Sequence, residues 1–159
     1  MNEPELVVGL NRDLAQELGA ICRGIQQAAL ARGTTSQDLR VLLKTEIIDN
    51  IFHALYLADK IAALGGMPTA IPEPFLSLSD PAAMVEYDLK EEHRVIKQYT
   101  ERLQQATGTW ALGLQARLEK ILADEAEHEQ GLRKLLDKGG ARSRGGHNGE
   151  TPVAREAQG

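Results

Sequence analysis

Glu125 and His128 close the run Glu125-Ala126-Glu127-His128. On a helix, that spacing of three stacks a carboxylate and an imidazole on one face. The pair can bind one cation, and a Glu from a neighbouring helix of each of two hairpins completes a bundle-core dinuclear site. The other residues such a site needs recur in register. Glu17 precedes His53 by 36 residues, and Glu92 precedes His128 by the same 36. A shift of 75 superimposes Leu14 on Leu89, Ile21 on Ile96, Gly33 on Gly108, Asp49 on Asp124 and His53 on His128. This is an internal repeat of one helical hairpin. Two such hairpins about a pseudo-twofold axis bring Glu17, Asn50, His53, Glu92, Glu125 and His128 to one point. Hard carboxylates with imidazole suit iron or manganese and disfavour copper(I). Two reduced irons with open coordination positions would accept O₂ or peroxide.

The elements that position these residues follow from apolar periodicity. Helix one reads Leu10, Leu14, Glu17, Ile21, Ile25; helix two reads Leu39, Leu43, Glu46, Asn50, His53, Leu57, Leu64. Helix three reads Val85, Leu89, Glu92, Ile96, Tyr99, Leu103; helix four reads Leu114, Leu118, Ile121, Glu125, His128, Leu132, Leu135. Steps of three and four keep each set on one face. Every stripe is interrupted by a carboxylate at mid-length, and one carboxylate buried alone costs several kcal/mol. A shared bound cation offsets that cost for several at once. His93 lies off its stripe and reads as a surface residue, as does His147.

Caps and breakers predict helices near 4–32, 36–64, 81–107 and 110–138. Gly33, Gly65–Gly66, Gly108 and Gly139–Gly140 follow the periodic runs as C-terminal caps. Thr34 to Ser36, Asp80 before Pro81, and Thr109 stand where N-caps belong. Short links make each consecutive pair an antiparallel hairpin. The link from Gly65 to Asp80 holds Pro68, Pro72 and Pro74. Its extended span of about 53 Å exceeds the roughly 42 Å of a 28-residue helix, so helices two and three can run parallel.

The chain has 159 residues, 42% hydrophobic and only 4% aromatic, which suits one all-α domain over residues 1–138. A net charge of −5 speaks against a nucleic-acid platform. One cysteine, Cys22, excludes an intramolecular disulfide and a cysteine zinc cluster. No apolar run reaches the ~18–20 residues of a membrane span, and the acidic N-terminus does not read as a signal peptide. The cytoplasm is the expected location. Residues 139–159 hold six glycines and one large aliphatic, Val153, and read as a disordered tail.

The chain resembles the ferritin-like superfamily, most nearly bacterioferritins and related bacterial mini-ferritins. The stretches that carry the resemblance are LNRDLAQELGAI (10–21), EIIDNIFHALYLADKIAALGGMP (46–68), YDLKEEHRVIKQY (87–99) and ILADEAEHEQGL (121–132). It covers residues 6–138 and implies a four-helix bundle with a long crossover. By resemblance, Glu17 and Glu92 are terminal iron ligands, His53 and His128 the imidazole ligands, and Glu125 a bridging carboxylate. Asp49 and Asp124 then hold the opposite histidine's ring. Where the family has its second bridging glutamate this chain has Asn50, which leaves two Fe²⁺ ions with one positive charge in excess. The metal on the His53 side is expected to bind more weakly; Glu46 and Asp49 have helical spacings that would let them compensate, but they read as channel-facing or ligand-supporting residues rather than direct ligands. Ile51 stands at the family's haem-ligating methionine, so no haem is expected. The short fifth helix of large cages has no counterpart, which leaves a smaller homo-oligomer open.

Two functions follow from the resemblance. One is a di-iron protein oxidising Fe²⁺ with O₂ or peroxide, in iron storage or detoxification. The other is a metal-binding or scaffold subunit whose centre is impaired by Asn50.

Overall fold

The computed structural model describes residues 3–33, 36–106 and 111–145. Four α-helices make up the fold: α1 (Glu3–Leu30), α2 (Gln37–Ala63), α3 (Pro81–Gln105) and α4 (Leu112–Gly145). No strand occurs among the described residues. Asp80 caps α3 as the sequence predicts: the Ala83 amide donates to its Oδ2 at 2.8 Å, and Pro81 opens the helix. Ser36 flanks α2 differently, since its hydroxyl donates to the Arg32 carbonyl at 2.7 Å and makes no cap bond. Thr34, Gly108 and Thr109 lie outside the described residues. Gly33 and Gly65 take left-handed φ values of +94° and +76°, which let the chain leave each helix without Cβ strain.

α4 runs past residue 138, where the tail was expected to begin, and continues to Gly145. Two glycines weaken a helix by about 1 kcal/mol each relative to alanine, but Ala141, Arg142 and Arg144 are good helix formers. Residues 146–159, with His147 and Val153, lie outside the described residues.

Each helix packs antiparallel to two neighbours. Asp13 pairs with Arg102 and Gln27 with Asp88, which sets α1 antiparallel to α3. His53 meets Asp124 and Asp38 meets Lys138, which sets α2 antiparallel to α4. With α1 and α2 forming a hairpin, α2 and α3 are parallel, as the long crossover requires. That crossover lies against α1. The Glu73 amide donates to the Ala15 carbonyl at 2.7 Å, and the Thr69 amide donates to Asn11 Oδ1 at 2.7 Å. Gly19 permits this approach, because a Cβ there would stand 2.7 Å from the Glu73 carbonyl oxygen.

Two apolar clusters fill the bundle. One holds Leu6, Leu10, Leu14, Leu57, Ile61, Tyr99, Leu114, Leu118 and Ile121. The other holds Ala31, Leu39, Leu43, Met84, Val85 and Leu132. Between them every helix turns a polar residue inward: Glu17, Glu46, Asn50, His53, Asp88, Glu92, Glu125 and His128 are all buried. The stripe predicted for α1 fails at Ile25, which is 56% exposed. Two successive steps of four from Glu17 rotate about 80° away from the core at 100° per residue. The inward positions there are Arg23 and Gln27, which both bind Asp88.

Leu57 is fully buried one turn beyond His53. Leu57→Ala is expected to cost about 2–5 kcal/mol of stability. Urea denaturation of the metal-free protein measures this, and a loss below about 1 kcal/mol would mean that the cluster closes over the gap.

Candidate metal centre

The hairpin repeat folds as a repeat. Its four helices bring Glu17, His53, Glu92, Glu125 and His128 into two groups that share one residue. Glu17, His53 and Glu125 form one triad; Glu92, Glu125 and His128 form the other. In each, the possible ligand atoms lie within 4.8 Å of one another. All five residues are at most 5% exposed.

The imidazoles are set in matching ways. His53 Nδ1 lies 3.1 Å from Glu125 Oε1 and 3.7 Å from Glu17 Oε2, while its Nε2 lies 3.2 Å from Asp124 Oδ2. His128 Nδ1 lies 3.2 Å from Glu125 Oε2, and its Nε2 lies 3.1 Å from Asp49 Oδ2. Each aspartate therefore engages the histidine of the opposite hairpin, as the family resemblance implies. An Nε2–H donated to the aspartate leaves Nδ1 free to face a metal. On the α1–α3 side, the Tyr99 hydroxyl donates to Glu17 Oε1 and leaves Oε2 toward His53.

The donor atoms fit a cation. His53 Nδ1 and Glu125 Oε1 face each other at 3.1 Å, and Glu92 Oε2 is buried without a hydrogen-bond partner. Buried polar atoms in that state are costly unless something else satisfies them. A hard divalent ion does so for carboxylate and imidazole alike.

The charges are interdependent. Burial, and then the Glu125 charge, push Glu17 up to about 7. Burial and the charges of Glu125 and Glu46 raise Glu92 well above the usual carboxylate range. Burial also opposes ionisation of Glu125, but His128 and His53 outweigh it and hold that carboxyl down at about 2. Burial works against charged imidazoles too. The carboxylates of Glu125 and Glu17 nevertheless raise His53 to about 10, and Glu125, Glu46 and Asp49 raise His128 to about 9.

At pH 7 the metal-free centre therefore keeps protons on both imidazoles, and a metal must displace them. Loading is expected to release more than two protons per chain at pH 7, one from each imidazole and the rest from the raised carboxyls of Glu17 and Glu92. Calorimetry in buffers of different ionisation heat measures this, and no release would contradict imidazole ligation. The same shifts stabilise the metal-free fold below the ordinary histidine value of 6.5. That contribution is lost as pH rises through about 9 and 10, so the metal-free melting temperature is expected to fall over that range.

Asn50 is buried on the same face of α2, with Oδ1 unpartnered. It lines a small cavity with Glu46 and Glu92. Burial raises the Glu46 carboxyl to about 7. Ile51 points outward and is 40% exposed. His93 is exposed and meets Glu129 at 2.8 Å, away from the centre. Reading the sequence missed Arg23, Gln27, Asp88 and the hydroxyl of Tyr99. Asp88 had a signal, since it lies three residues after Val85 and four before Glu92. The others had none, because their roles depend on contacts across helices.

The fold and its centre define a helical bundle with a buried carboxylate–imidazole cluster at mid-height. The ferritin-like domain family matches residues 8–140, and the chain belongs to that family. A ferritin-like, diiron-carboxylate protein from Bacillus anthracis strain Ames is 40% identical. The likeness covers 86% of this chain and 99% of that one, with a TM-score of 0.81. The dodecameric thioferritin of Bacteroides fragilis, a bacterioferritin-related protein, is 21% identical, covers 93% and 94%, and has a TM-score of 0.83. Desulfovibrio desulfuricans bacterioferritin, which has a diiron site, is 22% identical, covers 92% and 84%, and has a TM-score of 0.78. Those two share the fold. Among curated proteins none matches the chain.

Proposed function

We propose that this chain is a ferritin-like di-iron protein that oxidises Fe²⁺ with O₂ or peroxide, in cytoplasmic iron storage or detoxification. The observation that carries the reading is the pair of buried triads sharing Glu125. The B. anthracis diiron-carboxylate protein supports it at 40% identity. Fe²⁺ is the substrate: two ions lose one electron each, and O₂ with two protons becomes peroxide, or peroxide with two protons becomes two waters. Glu17 and Glu92 are terminal carboxylates, His53 and His128 supply nitrogen, and Glu125 spans both positions. Asp124 and Asp49 hold the rings, and Tyr99 orients Glu17. Manganese suits the same donors.

Stopped-flow absorbance in the near ultraviolet after mixing Fe²⁺-loaded protein with O₂ or peroxide tests the reading. Oxidation faster than in buffer, and lost in His128→Ala, is expected. A rate equal to buffer alone rejects it.

Asn50 favours a second reading, a metal-binding or scaffold subunit with an impaired centre. An amide oxygen cannot join two metals as a carboxylate does. One metal per chain with no turnover, after anaerobic Fe²⁺ loading, is its signature.

A homo-oligomer belongs to the proposal as well. α2 exposes Val41, Ile48, Ile51, Phe52 and Leu55, all at least 40% accessible. Spacings of three, four and seven put Val41, Ile48, Phe52 and Leu55 on one outer face, which a second copy would cover. Mass measurement in solution checks this, and a monomer at micromolar concentration counts against it.

A further inference from the structure

The hairpin repeat reaches beyond the metal ligands. Shifted by 75, Asp13 falls on Asp88, Arg23 on Gln98 and Gln27 on Arg102. These six residues form two matching clusters on the seam between α1 and α3. Gln98 Nε2 donates to Asp13 Oδ1 at 2.7 Å, and Arg102 Nε donates to Asp13 Oδ2 at 2.7 Å. In the other cluster Arg23 Nε lies 2.8 Å from Asp88 Oδ1, and Gln27 Nε2 donates to the same oxygen at 3.0 Å. Arginine and glutamine have exchanged places, so each aspartate keeps one of each. Asp13 lies one turn before Glu17, and Asp88 one turn before Glu92. The two terminal carboxylates therefore stand beside like neighbours.

One pair breaks the match: Tyr99 falls on Gly24. The buried Tyr99 hydroxyl donates to Glu17 Oε1 and leaves Oε2 toward His53, at 3.7 Å. Gly24 has no hydroxyl to offer Glu92, whose Oε2 is buried without a hydrogen-bond partner. Nor is there room for a side chain, because a Cβ on Gly24 would stand 2.9 Å from Ile47 Cγ1. A phenol O–H on a carboxylate makes a charge-assisted bond, stronger and more directed than a neutral one. It fixes the rotation of Glu17 before any cation arrives. Glu92 lacks that bond and has to order its carboxylate on binding, which costs side-chain entropy.

We propose that Tyr99 makes the two halves of the centre unequal, holding Glu17 ready as a one-oxygen ligand on the His53 side while Glu92 has no such partner. Tyr99 is a positioning residue that acts through Glu17. Removing its hydroxyl leaves Glu17 Oε1 a buried acceptor with nothing to accept, so a cation on that side loses an aligned ligand. The other triad, Glu92, Glu125 and His128, does not include Glu17 and keeps its donors. A tyrosine that only braced the bundle would weaken both halves alike, since they share Glu125. The inference rests on the dinuclear centre of the proposed function, but not on Fe²⁺ oxidation there.

Co²⁺ binding to the full chain, followed by visible absorption, tests this. His128→Ala leaves the Glu17 half intact, and His53→Ala leaves the Glu92 half intact. Adding Tyr99→Phe, which keeps the ring and removes only the hydroxyl, is expected to weaken Co²⁺ about 10–100-fold in the His128→Ala protein and to shift its absorption bands. In the His53→Ala protein the same change should leave affinity within about twofold and the bands unmoved. Should either histidine variant not fold or not bind, Tyr99→Phe is titrated alone, and only one of the two Co²⁺ binding steps must weaken. Equal weakening of both halves, no weakening of either, or no Co²⁺ bound by the wild type overturns the inference. Absence of Fe²⁺ oxidation with the one-sided Co²⁺ effect intact rejects the proposed function alone.

Discussion

Glu125→Gln is expected to strip both ions from the centre in one step. Glu125 is the one residue common to the two triads. Its two oxygens face different imidazoles, Oε1 toward His53 at 3.1 Å and Oε2 toward His128 at 3.2 Å. Glutamine keeps the shape but has one oxygen and no charge, so it cannot serve both sides. Losing an outer partner of a metal ligand already costs 10–100-fold in affinity. Losing the shared ligand is expected to cost more than about 100-fold at each position. Metal analysis after anaerobic Fe²⁺ loading measures this. Glu127→Gln, two residues away and exposed, is the control and should bind as wild type does. A Glu125→Gln protein that keeps two ions would remove the shared carboxylate from the account.

Asn50→Glu is the opposite kind of change. Two divalent ions bring four positive charges, and Glu17, Glu92 and Glu125 return three. A carboxylate at position 50 closes the difference. The expected gain is about 10–100-fold in the affinity of the weaker ion, with faster Fe²⁺ oxidation. The same substitution should harm the metal-free protein. Position 50 is 6% exposed and shares its cavity with Glu46, Asp88 and Glu92, so a fourth carboxyl is buried among like charges. The melting temperature should therefore fall without metal and rise with it. Unchanged affinity would show that Asn50 is not what limits the centre, and the impaired-centre reading would lose its motive.

The amino-acid sequence by itself determined the helices, the hairpin repeat and the polar set Glu17, His53, Glu92, Glu125 and His128. Helical periodicity is a local property, and carboxylates or imidazoles on an apolar stripe stand out against it. The opposed pairs Asp124 with His53 and Asp49 with His128 came from the family resemblance, since spacing within one hairpin does not say which residue of the other hairpin it meets.

The tertiary structure decided the rest. Ile25 turns outward while Arg23 and Gln27 turn in, since their acid, Asp88, comes from a helix far along the chain. Tyr99 reads as one more apolar residue until α1 brings Glu17 to its hydroxyl. Glu46 is a break in a stripe until three helices close a cavity of unpartnered oxygens around it. Periodicity sets which face of a helix turns inward. Only packing decides which atom of another helix meets it, because that partner lies at a distance no local rule spans.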